Sequence, residues 1–188
     1  MEQQIERSKV VVRWIVAATL FGAVAYLKRT GSLTIPWSTV VALTAAVAVL
    51  NLIYWSILRR GAPRWLKYVT TATDLALISI LVLFTGGTGS AFHVAYYIVL
   101  VSNSIRYGMG MALYVAIVYN LTYAATLAFA PPAGDLTTEA VKILAFWGVA
   151  LYAGYLAMRF QRYARILESY EETIVRLRAE LGGPRPAK

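Results

Sequence analysis

The chain has 188 residues, of which 59% are hydrophobic and only 14% charged, and its mean hydropathy is +0.60. Soluble domains run at about 45–50% apolar and about 25% charged, so an ordinary soluble protein is excluded and lipid is the expected solvent. With no cysteine and one histidine, disulfides, thiolate metal sites and a cysteine nucleophile are excluded too, and a net charge of +9 fits cytoplasmic anchoring of a membrane protein rather than nucleic-acid binding.

About 20 apolar residues cross a bilayer core of about 30 Å. Six stretches qualify as predicted spans, at residues 10–27, 36–58, 65–84, 91–105, 109–130 and 138–158. Each is expected to be helical, because an unpaired backbone amide in lipid is costly and no alternating ten-residue pattern suggests a barrel. The expected fold is an all-α integral membrane protein with a six-helix domain at 1–158, a cytoplasmic signalling helix at 159–181 and a linker or tail at 182–188.

In chain order, the first span is preceded or opened by Arg7, Lys9 and Arg13. Its apolar run is long for a signal peptide and no small-x-small cleavage site follows, so it reads as an anchor. Arg13 is expected to snorkel to headgroups, and Ala18 with Gly22 forms a small-xxx-small pair suited to close helix packing. Arg59, Arg60, Arg64 and Lys67 follow the second span, Arg106 the fourth, and Arg159, Arg162 and Arg165 the sixth. In a six-span chain these all fall on one side. Lys28, Arg29 and Lys142, partly offset by Asp135 and Glu139, fall on the other, so the positive-inside rule puts both termini in the cytoplasm. Trp14, Trp55 and Trp65, with Tyr26 and Trp37 opposite, fit interfacial belts.

The third span carries Asp74, read as the only acid within the six spans. A carboxylate near mid-bilayer costs at least about 2.5–3.5 kcal/mol, so it should face the bundle interior, be protonated, or be paired. Asn51, Asn103 and Asn120 are potential partners. A ligand or switching role and a structural interhelical hydrogen bond are both open.

Between the third and fourth spans the sequence reads TGGTGSAFH, Thr85 to His93. Gly86, Gly87 and Gly89 allow positive φ and close backbone approach, and Phe92, His93, Tyr96 and Tyr97 follow. Two readings stand: a tight helical hairpin with interfacial anchors, or a turn that holds a flat, partly polar ligand. A lone interfacial histidine is more often a cap or polar anchor than a ligand, and it excludes paired-histidine haem within one protomer, although a dimer could share two. After the sixth span, Phe160, Tyr163, Leu167, Tyr170, Ile174, Leu177 and Leu181 recur at steps of three and four among polar residues. That is the seam of a dimeric coiled coil, with an amphipathic helix on the membrane surface as the alternative. From Glu139 to Leu181 one helix could run on the order of 65 Å. Ala150 with Gly154 is a second small-xxx-small pair.

The glycine turn resembles the G-G-x-x-[NS]-P-F signature of the membrane-embedded input domains of bacterial sensor histidine kinases, including quinone-responsive sensors of the RegB type. Gly86, Gly87, Ser90 and Phe92 match; Ala91 stands at the proline position, and Ser90 where the quinone sensors have asparagine. Asp74 upstream, the Arg106-Tyr107-Gly108 turn and the long helix after the sixth span strengthen the similarity. The resemblance implies the input module of a two-component-type signalling protein in a bacterial inner membrane: a homodimer, with a quinone as a conceivable ligand, that passes a ligand, redox or membrane state through its last span to a cytoplasmic kinase or cyclase output domain or partner. The ligand residues it points to are Gly86, Gly87, Ser90, Phe92, His93, Tyr96 and Asp74. No nucleophile elbow, zinc-helix motif or phosphate loop occurs in the sequence, so no catalysis is expected of this chain itself. A small ion or solute channel or transporter, and a scaffold that recruits a soluble partner by its coiled coil, are the alternative readings.

Overall fold

A computed structural model describes residues 2–31, 35–61, 63–130 and 134–180, with side chains from 12 onward except 178 and 180. The side chains of Arg7 and Lys9, the seam position Leu181 and the segment 182–188 therefore lie outside the described residues. Those described form α1 (Glu2–Arg29), α2 (Trp37–Arg60), α3 (Leu66–Phe84), α4 (Val94–Tyr107), α5 (Met109–Phe129) and α6 (Leu136–Glu180), with single 3-10 turns at Gly87–Gly89 and Ala91–His93 ahead of α4.

The helix boundaries follow from local chemistry. Pro36 is extended, at φ −61° and ψ 143°, and α2 starts at the next residue. Gly61 and Gly108, at φ 137° and 83°, take conformations that end α2 and α4. The link from α4 to α5 is Gly108 alone, and its N–H donates to the Ser104 carbonyl at 2.8 Å.

By length and composition α2, α3, α5 and α6 are able to cross a membrane. Among the described residues the first and fourth predicted spans are not in this set, and α4 has 14 residues, a rise of about 21 Å. Its start is taken by the 3-10 turn, and both flanking turns are drawn into the bundle, with Gly87, Thr88, Ser90 and Gly108 buried. Irregular backbone at such depth is tolerated where protein covers it and its amides are paired. Here Ser90 N–H donates to Gly87 O at 3.0 Å and His93 N–H to Ser90 O at 3.2 Å.

The core lies among α3, α4, α5 and α6, where Leu75, Val82, Tyr96, Leu100, Val115, Tyr119 and Phe146 are buried. The α1–α2 hairpin joins it at two levels. Val24, Ile35 and Val40 pack near the glycine turn, and Tyr54 and Leu58 pack on Leu66 at the opposite end. Between these levels α1 and α2 stand off from α3 and α4 and leave a cavity.

Helix α6 is continuous over 45 residues, about 68 Å. A Cβ added at Gly154 would lie 3.2 Å from Met109 Cα and 3.2 Å from Ala112 Cβ, so the Ala150–Gly154 pair seats α6 on α5 within the bundle. Gly22 has open space around it, and its pair with Ala18 faces outward. Trp14, Trp37, Trp55 and Trp65 are exposed, as interfacial anchors are.

Candidate functional site

The predicted ligand residues fall into two separate groups. The first is built on the glycine turn. Gly86 and Gly87 sit at φ 119° and 63°, and a Cβ on Gly87 would meet Ala130 Cβ at 3.0 Å, so backbone conformation and space both demand glycine. Ser90 is a cap: its Oγ accepts from Phe92 N–H at 3.2 Å and contacts Thr85 Oγ1. Phe92 is packed into the core. Tyr96 is fully buried, its hydroxyl 2.7 Å from Ser79 Oγ. His93 sits in a cage of tyrosines, with ring centroids 5.2 Å from Tyr96 and 5.2 Å from Tyr123, and its Nε2 lies 3.1 Å from Tyr119 OH.

Sequence reasoning missed what ties this turn to the rest of the molecule. Tyr123 OH donates to Glu139, Glu139 Oε1 pairs with Lys142 Nζ at 3.0 Å, and Lys142 Nζ also donates to the Thr88 carbonyl at 2.8 Å. The turn between α3 and α4 is thus bonded directly to the first turns of α6. Glu139 is only 3% exposed, which corrects the reading of Asp74 as the lone acid among the spans. The missed signal was Glu139 and Lys142 at i and i+3, on one helix face, with Tyr119 and Tyr123 at i and i+4 on the helix opposite.

Asp74 belongs elsewhere. It lies ten residues before Phe84 on α3, about 15 Å along the axis, and faces α1 rather than the turn. Arg13 Nη2 approaches Asp74 Oδ1 to 2.7 Å, with both side chains largely buried. The guanidinium also lies 4.5 Å from the centre of the Tyr54 ring, and Tyr54 OH donates to Thr73 Oγ1 at 2.8 Å. Arg13 therefore does not snorkel; a counter-charge in the bundle outcompetes the headgroups, because a buried carboxylate needs a partner. Of the three asparagines weighed, Asn103 shares the cavity with Asp74 and accepts from Thr71 Oγ1 at 3.1 Å, whereas both amide atoms of Asn51 are buried without a hydrogen bond among the described residues. The cavity beside the pair, about 150 Å³, is bounded by α1, α2, α3 and α4.

The third group is the seam on α6. Phe160, Tyr163, Leu167, Tyr170, Ile174 and Leu177 are each at least 50% exposed. The face that α6 turns to its own bundle, Phe146, Ala150, Ala153 and Ala157, is buried and ends where the seam begins.

A six-span transmembrane domain is also what a known family model describes. The family model for the PilS-like transmembrane domain matches residues 2–167. The chain belongs to this family. No curated protein and no solved structure matches it. The family model describes a six-span membrane domain and takes its name from PilS, a sensor histidine kinase. The PilS-like match covers α1 to α5 and α6 as far as Leu167.

Proposed function

We propose that this domain is the input module of a two-component-type signalling protein, which transmits the state of its glycine turn through α6 to a cytoplasmic output. The observation that carries the reading is the Lys142 bond to the Thr88 carbonyl, braced by Glu139 and Tyr123, at the head of a helix that runs unbroken for 45 residues. A change in the turn has nowhere to relax locally, because Gly87, Thr88, Ser90 and Phe92 are packed. It is passed instead to the first turns of α6 as a small rotation or slide, and a rigid helix delivers that displacement to the seam. Two chains dimerise through Phe160 to Leu181, with both termini cytoplasmic, and the displacement alters how the seam pairs. Coupling of this kind requires two states of the helix and a stimulus with different affinity for them. Gly86, Gly87, Ser90, Phe92, His93 and Tyr96 are the residues through which a lipid-soluble stimulus, a quinone among them, acts on the turn.

The absence of cysteine makes the test direct. An Ile174→Cys chain is spin-labelled and reconstituted in vesicles containing either oxidised or reduced ubiquinone, and the distance between labels on the two protomers is measured. The expected result is a distance distribution that differs between wild type and Lys142→Met. A distribution unchanged by Lys142→Met overturns the relay, and one unchanged between the two quinone states removes quinone as the stimulus.

A further inference from the structure

The cavity between the α1–α2 hairpin and helices α3 and α4 has no part in the relay from the glycine turn, yet it has the make-up of a binding site. It is elongated. Its lining on α1 runs from Val12 to Val24, about 18 Å along the helix. Its length is walled by aliphatic side chains such as Leu20, Leu43, Leu77 and Leu81. Apart from Thr44, its polar groups are gathered at the end remote from the glycine turn, where Arg13, Asp74, Ser102, Asn103 and Arg106 lie. Of these charges, Arg13 and Asp74 neutralise each other at 2.7 Å. Arg106 donates to Ser102 Oγ at 3.0 Å and forms no ion pair among the described residues. Among the described residues the polar end therefore carries one positive charge outside an ion pair. The cavity is also open sideways, since Phe21 and Ile98, which line it, are 40% and 44% exposed.

We propose that this cavity binds the hydrocarbon chain of an anionic amphiphile, with its carboxylate or phosphate on Arg106 and its tail laid along α1 toward Val24. An elongated apolar slot fits an extended acyl chain better than a compact ring system. A guanidinium with free donors at one end selects an anionic head over a neutral one. The lateral opening lets the ligand enter from the bilayer. The occupant separates the α1–α2 hairpin from α3 along the slot while the Arg13–Asp74 pair and the Tyr54 cluster hold its inner end. The ligand chemistry is shared by two sources, a free fatty acid and an anionic phospholipid.

The test uses the full chain in lipid nanodiscs and a hexadecanoate probe with a photoreactive diazirine in its tail. Saturable labelling that maps to α1 and α4 around Phe21 and Ile98 is expected. Labelling should fall at least tenfold for the matching hexadecanol probe, for Arg106→Gln and for Val16→Phe, which fills the slot, while Arg106→Lys keeps a substantial part. Circular dichroism and gel filtration of each variant establish that the helices are intact. Competition by unlabelled palmitate alone identifies a fatty acid, and competition by phosphatidylglycerol identifies a phospholipid. Equal labelling by the alcohol probe, labelling indifferent to both Arg106→Gln and Val16→Phe, or competition by neither lipid overturns the proposal. The labelling reads binding alone and the spin-label distances read α6 alone, so failure of this inference and failure of the relay are distinguishable.

Discussion

Two pairs of residues show how little of the energetics at single positions depends on residue type alone. Asp74 and Arg13 are each costly in a membrane and tolerable together at 2.7 Å. Removing one partner of a buried pair leaves the other charge without compensation, at a cost of about 3 kcal/mol. Asp74→Asn is expected to destabilise the domain by that order, measured by loss of helix on titration with denaturing detergent, and Arg13→Gln combined with Asp74→Asn is expected to recover much of the loss. Additive losses would show that the pair does not interact. Gly87 and Gly22 make the second comparison. At Gly87 a left-handed φ of 63° and a 3.0 Å approach to Ala130 oppose any side chain, and Gly87→Ala should cost at least about 1–2 kcal/mol. At Gly22, inside α1 with open space around it, Gly22→Ala should be neutral or stabilising by up to about 1 kcal/mol. Thermal unfolding of the two variants in one detergent checks both.

Among the elements, α6 joins two environments. Its first half is packed: a Cβ on Gly154 already meets Met109 Cα at 3.2 Å, so Gly154→Leu must push α5 and α6 apart, an overpacking cost of about 1–3 kcal/mol. The matched change Gly148→Leu, on a face with nothing within 4 Å, should be silent in the same unfolding assay. Its second half carries the seam in the open. The link between halves is the continuity of the backbone, so the geometry at Lys142 and the phase of the seam at Phe160 are fixed relative to each other. The α1–α2 hairpin is different in kind, since it meets the bundle at two clusters with a cavity between.

For the whole molecule, Phe160, Tyr163, Leu167, Tyr170, Ile174 and Leu177 form an exposed apolar stripe, and large exposed apolar patches mark interaction sites. If a second copy covers it, Leu167→Glu with Ile174→Glu should halve the number of chains per nanodisc, read from particle mass after the belt and lipid are subtracted, while Glu168→Lys beside the stripe should leave it unchanged. A mass unaffected by the seam substitutions would assign the stripe to the membrane surface or to another partner.

Composition, span length and turn chemistry determined the all-helical architecture, the number of helices and the reversal at Gly86 and Gly87. These depend on local properties: apolar run length against bilayer thickness, and the φ values open to glycine. The heptad stripe was legible for the same reason, since period is a property of one helix. Partners across helices were decided only by tertiary structure. Nothing in the spacing of Arg13, Tyr54 and Asp74 along the chain brings them together, and neither Lys142 nor Thr88 carries a mark of the other across 54 residues. Asp74 was correctly singled out as needing compensation, but the choice of Arg13 over Asn51 or Asn120 depends on which faces of α1, α2 and α3 meet. Apolar helices in lipid lack the inside–outside polarity that would signal those faces in a soluble protein. The sequence therefore determined which elements form and where they turn, and the packing of α1 to α6 decided which buried charges pair, which turn is wired to the last helix, and where the cavity opens.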